Sequence, residues 1–186
     1  MKLLPVFIFF IILQSCSDKK GKTKISGITS EVALTENLQV KKQDFNAKKI
    51  ISINFEEFEK NYFQKENDSV YIINFWATWC KPCVEELPAF EKIASDYAGE
   101  KVKVLLVSLD FPDKIKGQVI PFIKKNKIQS EVVLLDDADA NGWIPKVSPE
   151  WSGAIPATVI YKKDKRKFYE QSFTFEKLET ELKTFL

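Results

Sequence analysis

From residue 50 onward the apolar positions recur in two rhythms that divide the chain into elements. Residues 50–53 suit a short edge strand. After Asn54, the residues Phe55, Phe58, Tyr62 and Phe63 fall at helical spacing, which predicts a helix to about residue 65 with these side chains in the core. Asn54 has the short polar side chain that caps a helix, and Glu56 and Glu57 stand in the first turn, where the dipole favours acid. Residues 70–75 form a near-continuous apolar run, as expected of a central strand covered on both faces. A helix to about residue 97 follows the cysteines, with Gly99 ending it. Residues 102–108 and 132–135 are further strands, and Pro121 stands near the start of a helix through Phe122, Ile123 and Lys125. Two strands, 157–162 and 167–172, flank the polar turn 163–166 as a hairpin. Thr174 caps a last amphipathic helix through Phe175, Leu178, Leu182 and Phe185. Strand and helix alternate and then give way to a hairpin and a helix. The expected class is therefore α/β, a central mixed sheet flanked by helices on both faces. No internal repeat or low-complexity segment interrupts the pattern.

The first 49 residues have a different texture. Lys2 and the apolar run 3–13 have the form of a secretory signal, too short for a membrane span of ~18 or more apolar residues. Leu13-Gln14-Ser15-Cys16 resembles a bacterial lipoprotein junction, in which the cysteine is lipidated and begins the mature protein. Gln14 departs from the small or apolar residue usual there, and the alternative is an ordinary signal with an incidental cysteine. The expected organisation is a signal peptide over 1–15, a lipid-anchored polar tether over 16–49 and a folded domain over 50–186. As a coil of about 33 residues the tether would span roughly 30 Å. Its lysines, among them Lys19, Lys20, Lys41 and Lys42, read as a solvated linker.

Composition narrows the chemistry. With 28 Lys+Arg against 26 Asp+Glu, the net charge of +2 gives no basic excess for a nucleic-acid partner. There is no histidine, which removes Ser-His and Cys-His catalysis and the commonest zinc, copper and haem ligand. Of the 3 cysteines, Cys16 belongs to the export signal, leaving Cys80 and Cys83 as a pair. Two ligands do not close a zinc site, so no metal and no cofactor are expected. Asp137, Asp139, Asn141 and Gly142 match the opening of a calcium loop, but Ser148 stands where a bidentate Glu is required and Pro145 interrupts it; a turn is expected instead.

Phe75-Trp76-Ala77-Thr78-Trp79-Cys80-Lys81-Pro82-Cys83, followed by Gly153-Ala154-Ile155-Pro156-Ala157-Thr158, resembles the thioredoxin superfamily. Within it the pattern is most similar to the membrane-tethered TlpA/ResA type of disulfide reductase, over roughly residues 50–186. The resemblance implies a thioredoxin-like fold, a redox-active pair at Cys80 and Cys83, and a cis-proline at Ile155-Pro156 facing it. It also implies disulfide-bearing protein substrates, apocytochrome c among them, a membrane thiol donor, and a periplasmic, lipid-anchored monomer.

The residues support those roles. Cys80, just ahead of a helix, faces unpaired N–H groups and the positive dipole end, which favour the thiolate, and Lys81 adds a positive charge. Cys80 is the expected nucleophile, Cys83 the resolving thiol, and Pro82 fits the first helical turn. On a wheel of about 100° per residue, Cys83, Leu87, Phe90, Ala94 and Tyr97 share the apolar face. Glu86 falls on its edge, while Glu85 points with Lys92 and Asp96 to water. Glu86 is therefore expected to be partly desolvated and raised in pKa. Thioredoxins proper carry a buried acid at the strand position of Asn74, which cannot titrate, and the TlpA/ResA type a glutamate at the position of Glu86, so the resemblance implies that Glu86 exchanges protons with the cysteines, Cys83 above all. Trp79, Lys81, Pro82, Ile155 and Pro156 are the expected substrate-binding residues. Trp76 should pack, Trp79 should be partly exposed, and Trp151 is placed on the rim near Pro156.

Two other classes bear on the same cysteine pair. A redox-dependent binding module would capture cysteine-containing partners without turnover. A peroxidase of the related peroxiredoxin class needs a Pro-x-x-x-Thr/Ser-x-x-Cys site, which the chain lacks.

Overall fold

The computed structural model describes residues 50–186, which lie in one compact unit. The expected signal, the tether and Cys16 fall outside the described residues. Among the described residues no helix is long and apolar enough to cross a membrane.

Six strands form one sheet: β1 (Ile51–Ile53), β2 (Val70–Trp76), β3 (Val102–Ser108), β4 (Glu131–Leu135), β5 (Ala157–Lys162) and β6 (Lys165–Tyr169), in the order β1-β4-β3-β2-β5-β6. β1 to β4 run parallel, β5 pairs antiparallel with β2, and β6 at the far edge pairs antiparallel with β5. The expected mixed sheet is therefore present, with β1 at its edge and β2 near its centre.

Both faces of β2 are covered. Ile72 and Trp76 enter one core with Leu87, Phe90 and Ile93 of α2 (Lys81–Asp96) and Leu178 and Leu182 of α5 (Phe175–Lys183). Ile73 and Phe75 enter the other with Phe55 and Phe58 of α1 (Phe55–Phe58) and Trp143 and Val147 of α4 (Ala140–Val147). The two-residue period of the strand thus aims alternate side chains at the two helical layers. Asn74, in phase with Ile72 and Trp76, is directed toward α2.

Local signals explain most boundaries. Asn54 and Glu57 form a reciprocal capping box, and Thr174 accepts the Lys177 N–H at the start of α5. α1 does not continue to residue 65 as an α-helix; it passes into a π turn at Glu59–Phe63. The segment before α3 (Ile120–Lys125) winds through a 3-10 turn at Pro112–Lys114 and a π turn at Ile115–Val119.

Three further expectations are corrected. α2 ends at a Tyr97 cap, and the left-handed residue is Lys101, not Gly99, because the chain makes further turns before entering β3. The hairpin turns on Lys163 and Asp164 alone, with Lys163 in the left-handed region and β6 starting at Lys165. The acidic stretch near residue 140 is the start of α4 and not a plain turn: Asp139 accepts the Gly142 N–H at 3.1 Å. A Cβ at Gly142 would meet Asp139 Oδ2 at 2.1 Å, so a larger residue there would push the capping carboxylate out of this position.

Candidate active site

The site is built where the C-terminal end of β2 meets the N-terminus of α2. Between them the chain turns, with the Cys80 N–H donating to Ala77 O at 3.1 Å. Asp110, just beyond β3 and buried, anchors this turn. Its carboxylate accepts the Thr78 N–H at 3.0 Å, the Thr78 hydroxyl, and the Ser108 hydroxyl at 2.8 Å. Gln118 Nε2 donates to Thr78 Oγ1 at 2.6 Å, tying the π turn to the same residue.

Cys80 is the N-cap of α2, and its sulfur accepts the Cys83 N–H at 3.3 Å. Cys80 and Cys83 are joined as a disulfide. Cys80 retains 6% exposure and Cys83 none, so an incoming sulfur meets Cys80 first. No acidic residue occupies the first turn of α2, leaving the helix end's positive field on Cys80 unopposed from within the turn. Lys81 points to solvent and lies 3.7 Å from Glu85, one turn on, so part of its charge is spent on that pair.

Glu86 is more deeply placed than the helix wheel suggests: it is 3% exposed, inside the core rather than on its edge. The second layer responsible is the segment before α5, whose Phe173 N–H donates to Glu86 Oε2 at 2.8 Å. Asn74 Nδ2 donates to Oε1 at 2.8 Å and to Thr158 Oγ1 at 3.1 Å. Burial pushes the Glu86 carboxyl up to about 7, against the opposing pull of the Phe173 and Asn74 hydrogen bonds.

Ile155-Pro156 is cis, and the Ile155 carbonyl oxygen lies 3.7 Å from Cys80 Sγ. The preceding loop is held by Trp151, whose Nε1 donates to Ala154 O at 2.7 Å, and by Glu170, which accepts the Ser152 and Ala154 N–H groups at 3.2 and 3.1 Å. The Ser152 hydroxyl, which also donates to Glu170, is the main influence holding that carboxyl below its ordinary range, with the two N–H groups acting in the same sense. Trp151 is not a rim residue. It is 5% exposed and packs on Phe75, Trp143 and Phe168, supporting the loop from beneath.

Cys80, Cys83, Glu86, Ile155 and Pro156 are thus gathered at one end of the sheet. Trp79 is 60% exposed beside them, Pro82 is exposed in the first turn of α2, and Trp76 is fully buried. Among the described residues no group of three or more His, Cys, Asp or Glu is placed to hold a metal ion. Asp137 and Asp139 instead accept backbone N–H groups, from Phe55 and Gly142 among others. Sequence reasoning missed Asp110 and Glu170. The position of Asp110 just past a parallel strand, at the sheet end where α/β sites gather, was the available signal.

The AhpC/TSA family model matches residues 38–166, well over half of the chain. The chain belongs to the AhpC/TSA family. Among relatives with curated descriptions, the thioredoxin-like protein YneN of Bacillus subtilis is 37% identical over 92 residues, 50% of this chain and 49% of that protein. Sporulation thiol-disulfide oxidoreductase A of the same organism is 36% identical over 63 residues, 34% of this chain and 38% of its own length. The match thus spans about half or less of these relatives. The crystal structure of a thioredoxin-related protein from Neisseria meningitidis serogroup B superposes with a TM-score of 0.54 at 26% identity, over 62% of this chain and 84% of that one. The chain has a thioredoxin-like fold.

Proposed function

We propose that this chain is a thiol-disulfide oxidoreductase that reduces disulfides of exported proteins on the outer side of a bacterial membrane, held there by lipid at Cys16. The observation carrying this reading is the Cys80–Cys83 disulfide at the N-terminus of α2, with Cys80 facing the Ile155 carbonyl beside a cis-proline. In the reduced protein the helix end stabilises a Cys80 thiolate, which attacks a substrate sulfur. An S–S bond forms to Cys80, and the other substrate sulfur leaves as thiolate. Cys83 gives its proton to the Glu86 carboxylate and attacks Cys80, restoring the internal disulfide and releasing the second substrate thiol. A membrane thiol donor then returns two electrons. Apocytochrome c thiols fit as substrates because their disulfides arise in the same compartment.

The test is the reduction potential of the Cys80/Cys83 pair against glutathione, together with turnover on a disulfide-bearing peptide. A potential well below the glutathione couple and multiple turnovers are expected. A strongly oxidising potential overturns the reductase direction, and stoichiometric capture without turnover makes the protein a redox-dependent binder.

A further inference from the structure

Three polar side chains meet in the core between the sheet and α2: Asn74 of β2, its register partner Thr158 of β5, and Glu86. Asn74 Nδ2 donates to both Glu86 Oε1 and Thr158 Oγ1, while Asn74 Oδ1 is buried with no partner among the described residues. A side-chain amide has two orientations related by a half-turn. Turned over, Oδ1 would lie against Glu86 Oε1, a contact tolerable only if that oxygen carried a proton. The orientation found leaves one acceptor unsatisfied and directs an N–H at the carboxylate. Glu86 Oε2 faces the Phe173 N–H, which can only donate. Both carboxylate oxygens therefore meet donors, an arrangement that matches the ionised form.

We propose that Asn74 is a positioning residue that sets the proton affinity of Glu86, holding the carboxylate charged against its burial, with Thr158 fixing the direction of the amide. Burial acts in the opposite sense, and no ionised side chain contributes. The groups bonded to the carboxylate are Asn74 from the sheet, itself held by Thr158, and the Phe173 N–H from the segment before α5, while Cys83 lies three residues back on the same helix. The significance of Asn74 for turnover rests on the proton-accepting role given to Glu86 above.

Infrared titration of the full chain in its disulfide form tests this directly, with the protonated-carboxyl band of Glu86 identified by its loss in Glu86→Gln. Asn74→Leu should raise the midpoint by about one pH unit or more, a tenfold tighter proton, or ~1.4 kcal/mol. Thr158→Val should raise it by less, since the amide still donates. Asn74→Asp, nearly isosteric, keeps the test alive if the leucine variant does not fold. Its two adjacent carboxyls should share one proton and retain it to higher pH than the unaltered chain. An unchanged or lowered midpoint in Asn74→Leu, a shift in Thr158→Val as large as in Asn74→Leu, or two carboxyls titrating independently in Asn74→Asp would overturn the assignment. The measurement needs no turnover, so its failure is distinct from failure of the oxidoreductase reading.

Discussion

One carboxylate, that of Asp110, accepts both the backbone N–H and the hydroxyl of Thr78, so the turn that delivers Cys80 to α2 is fixed from the end of the neighbouring strand. Both Asp110 oxygens receive donors, and the residue is buried. Asp110→Asn would set an amide N–H against one of them. A loss of about 1–3 kcal/mol is expected in urea unfolding of the disulfide form. Thiol-disulfide exchange at Cys80 should slow in parallel, because the sulfur loses its fixed position at the helix end. Thr78→Val, which keeps the backbone bond, should cost less. Unfolding midpoints equal to those of the unaltered chain would show that the turn is held by other contacts.

Glu86 makes stability depend on pH in a direction unusual for a carboxylate. Its carboxyl is raised from 4.5 to about 7 in the folded chain, so between these values the folded state binds the proton more tightly than the unfolded state. The stabilisation is full below the unfolded value and is lost as pH rises through the folded value. Across that window the single-group effect is roughly 3 kcal/mol. Glu179 and Glu181, held below their ordinary range by hydrogen bonds from Lys183 and Lys167 first, act in the opposite sense at lower pH. Denaturation between about pH 5 and 8, compared with Glu86→Gln, isolates the contribution. The expected difference curve falls with rising pH, and a flat one refutes it.

The same residue governs a kinetic prediction. If the Glu86 carboxylate receives the Cys83 proton, the pH profile of alkylation of the reduced dithiol should contain a component near neutrality that Glu86→Gln removes. The substitution keeps size and burial, so an unaltered profile would relieve Glu86 of the role.

How much of this was legible in the sequence depended on range. Caps were readable because Asn54 and Thr174 act on N–H groups three residues away, and β2 was readable because both of its faces are apolar. The dithiol, Ile155 and Pro156 were legible through their residue pattern. α4 was not: Pro145 and the acidic approach resemble a turn, and only the Asp139–Gly142 cap and the packing of Trp143 and Val147 make a helix of it. Asp110–Thr78 joins residues 32 apart, and Glu86–Phe173 joins residues 87 apart. Nothing local announces either pairing, so Glu86 read as an edge residue and Asp110 went unnoticed. Trp151 stood close to Pro156 in sequence, but its ring faces the core beneath the loop.

Lys81 tests whether the thiolate field comes from the helix or from a side chain. Its side chain is 87% exposed and lies 3.7 Å from Glu85. Exposed i,i+4 pairs contribute about 0.3–0.5 kcal/mol. Lys81→Ala should therefore leave stability almost unchanged and shift the pH at which Cys80 becomes reactive only slightly. A large loss of Cys80 reactivity at neutral pH would transfer the leading role from the backbone N–H groups to the lysine.

The order of attack follows from which sulfur a partner can reach. Cys83 is fully enclosed, whereas Cys80 keeps partial exposure at the helix end next to exposed Trp79. In Cys83→Ser, Cys80 can still open a substrate disulfide, but the second displacement lacks its thiol. The mixed disulfide should accumulate with one peptide half per chain, readable by intact mass and released by dithiothreitol. In Cys80→Ser the remaining thiol is buried and one turn inside the helix, so capture should fall by an order of magnitude or more, as expected when the accessible thiolate is removed. Trp79→Ala in the Cys83→Ser background should slow adduct formation without preventing it, since the ring contributes contact surface and not the reacting atom. Faster capture by Cys80→Ser than by Cys83→Ser would reverse the two roles and require a site that opens toward Cys83.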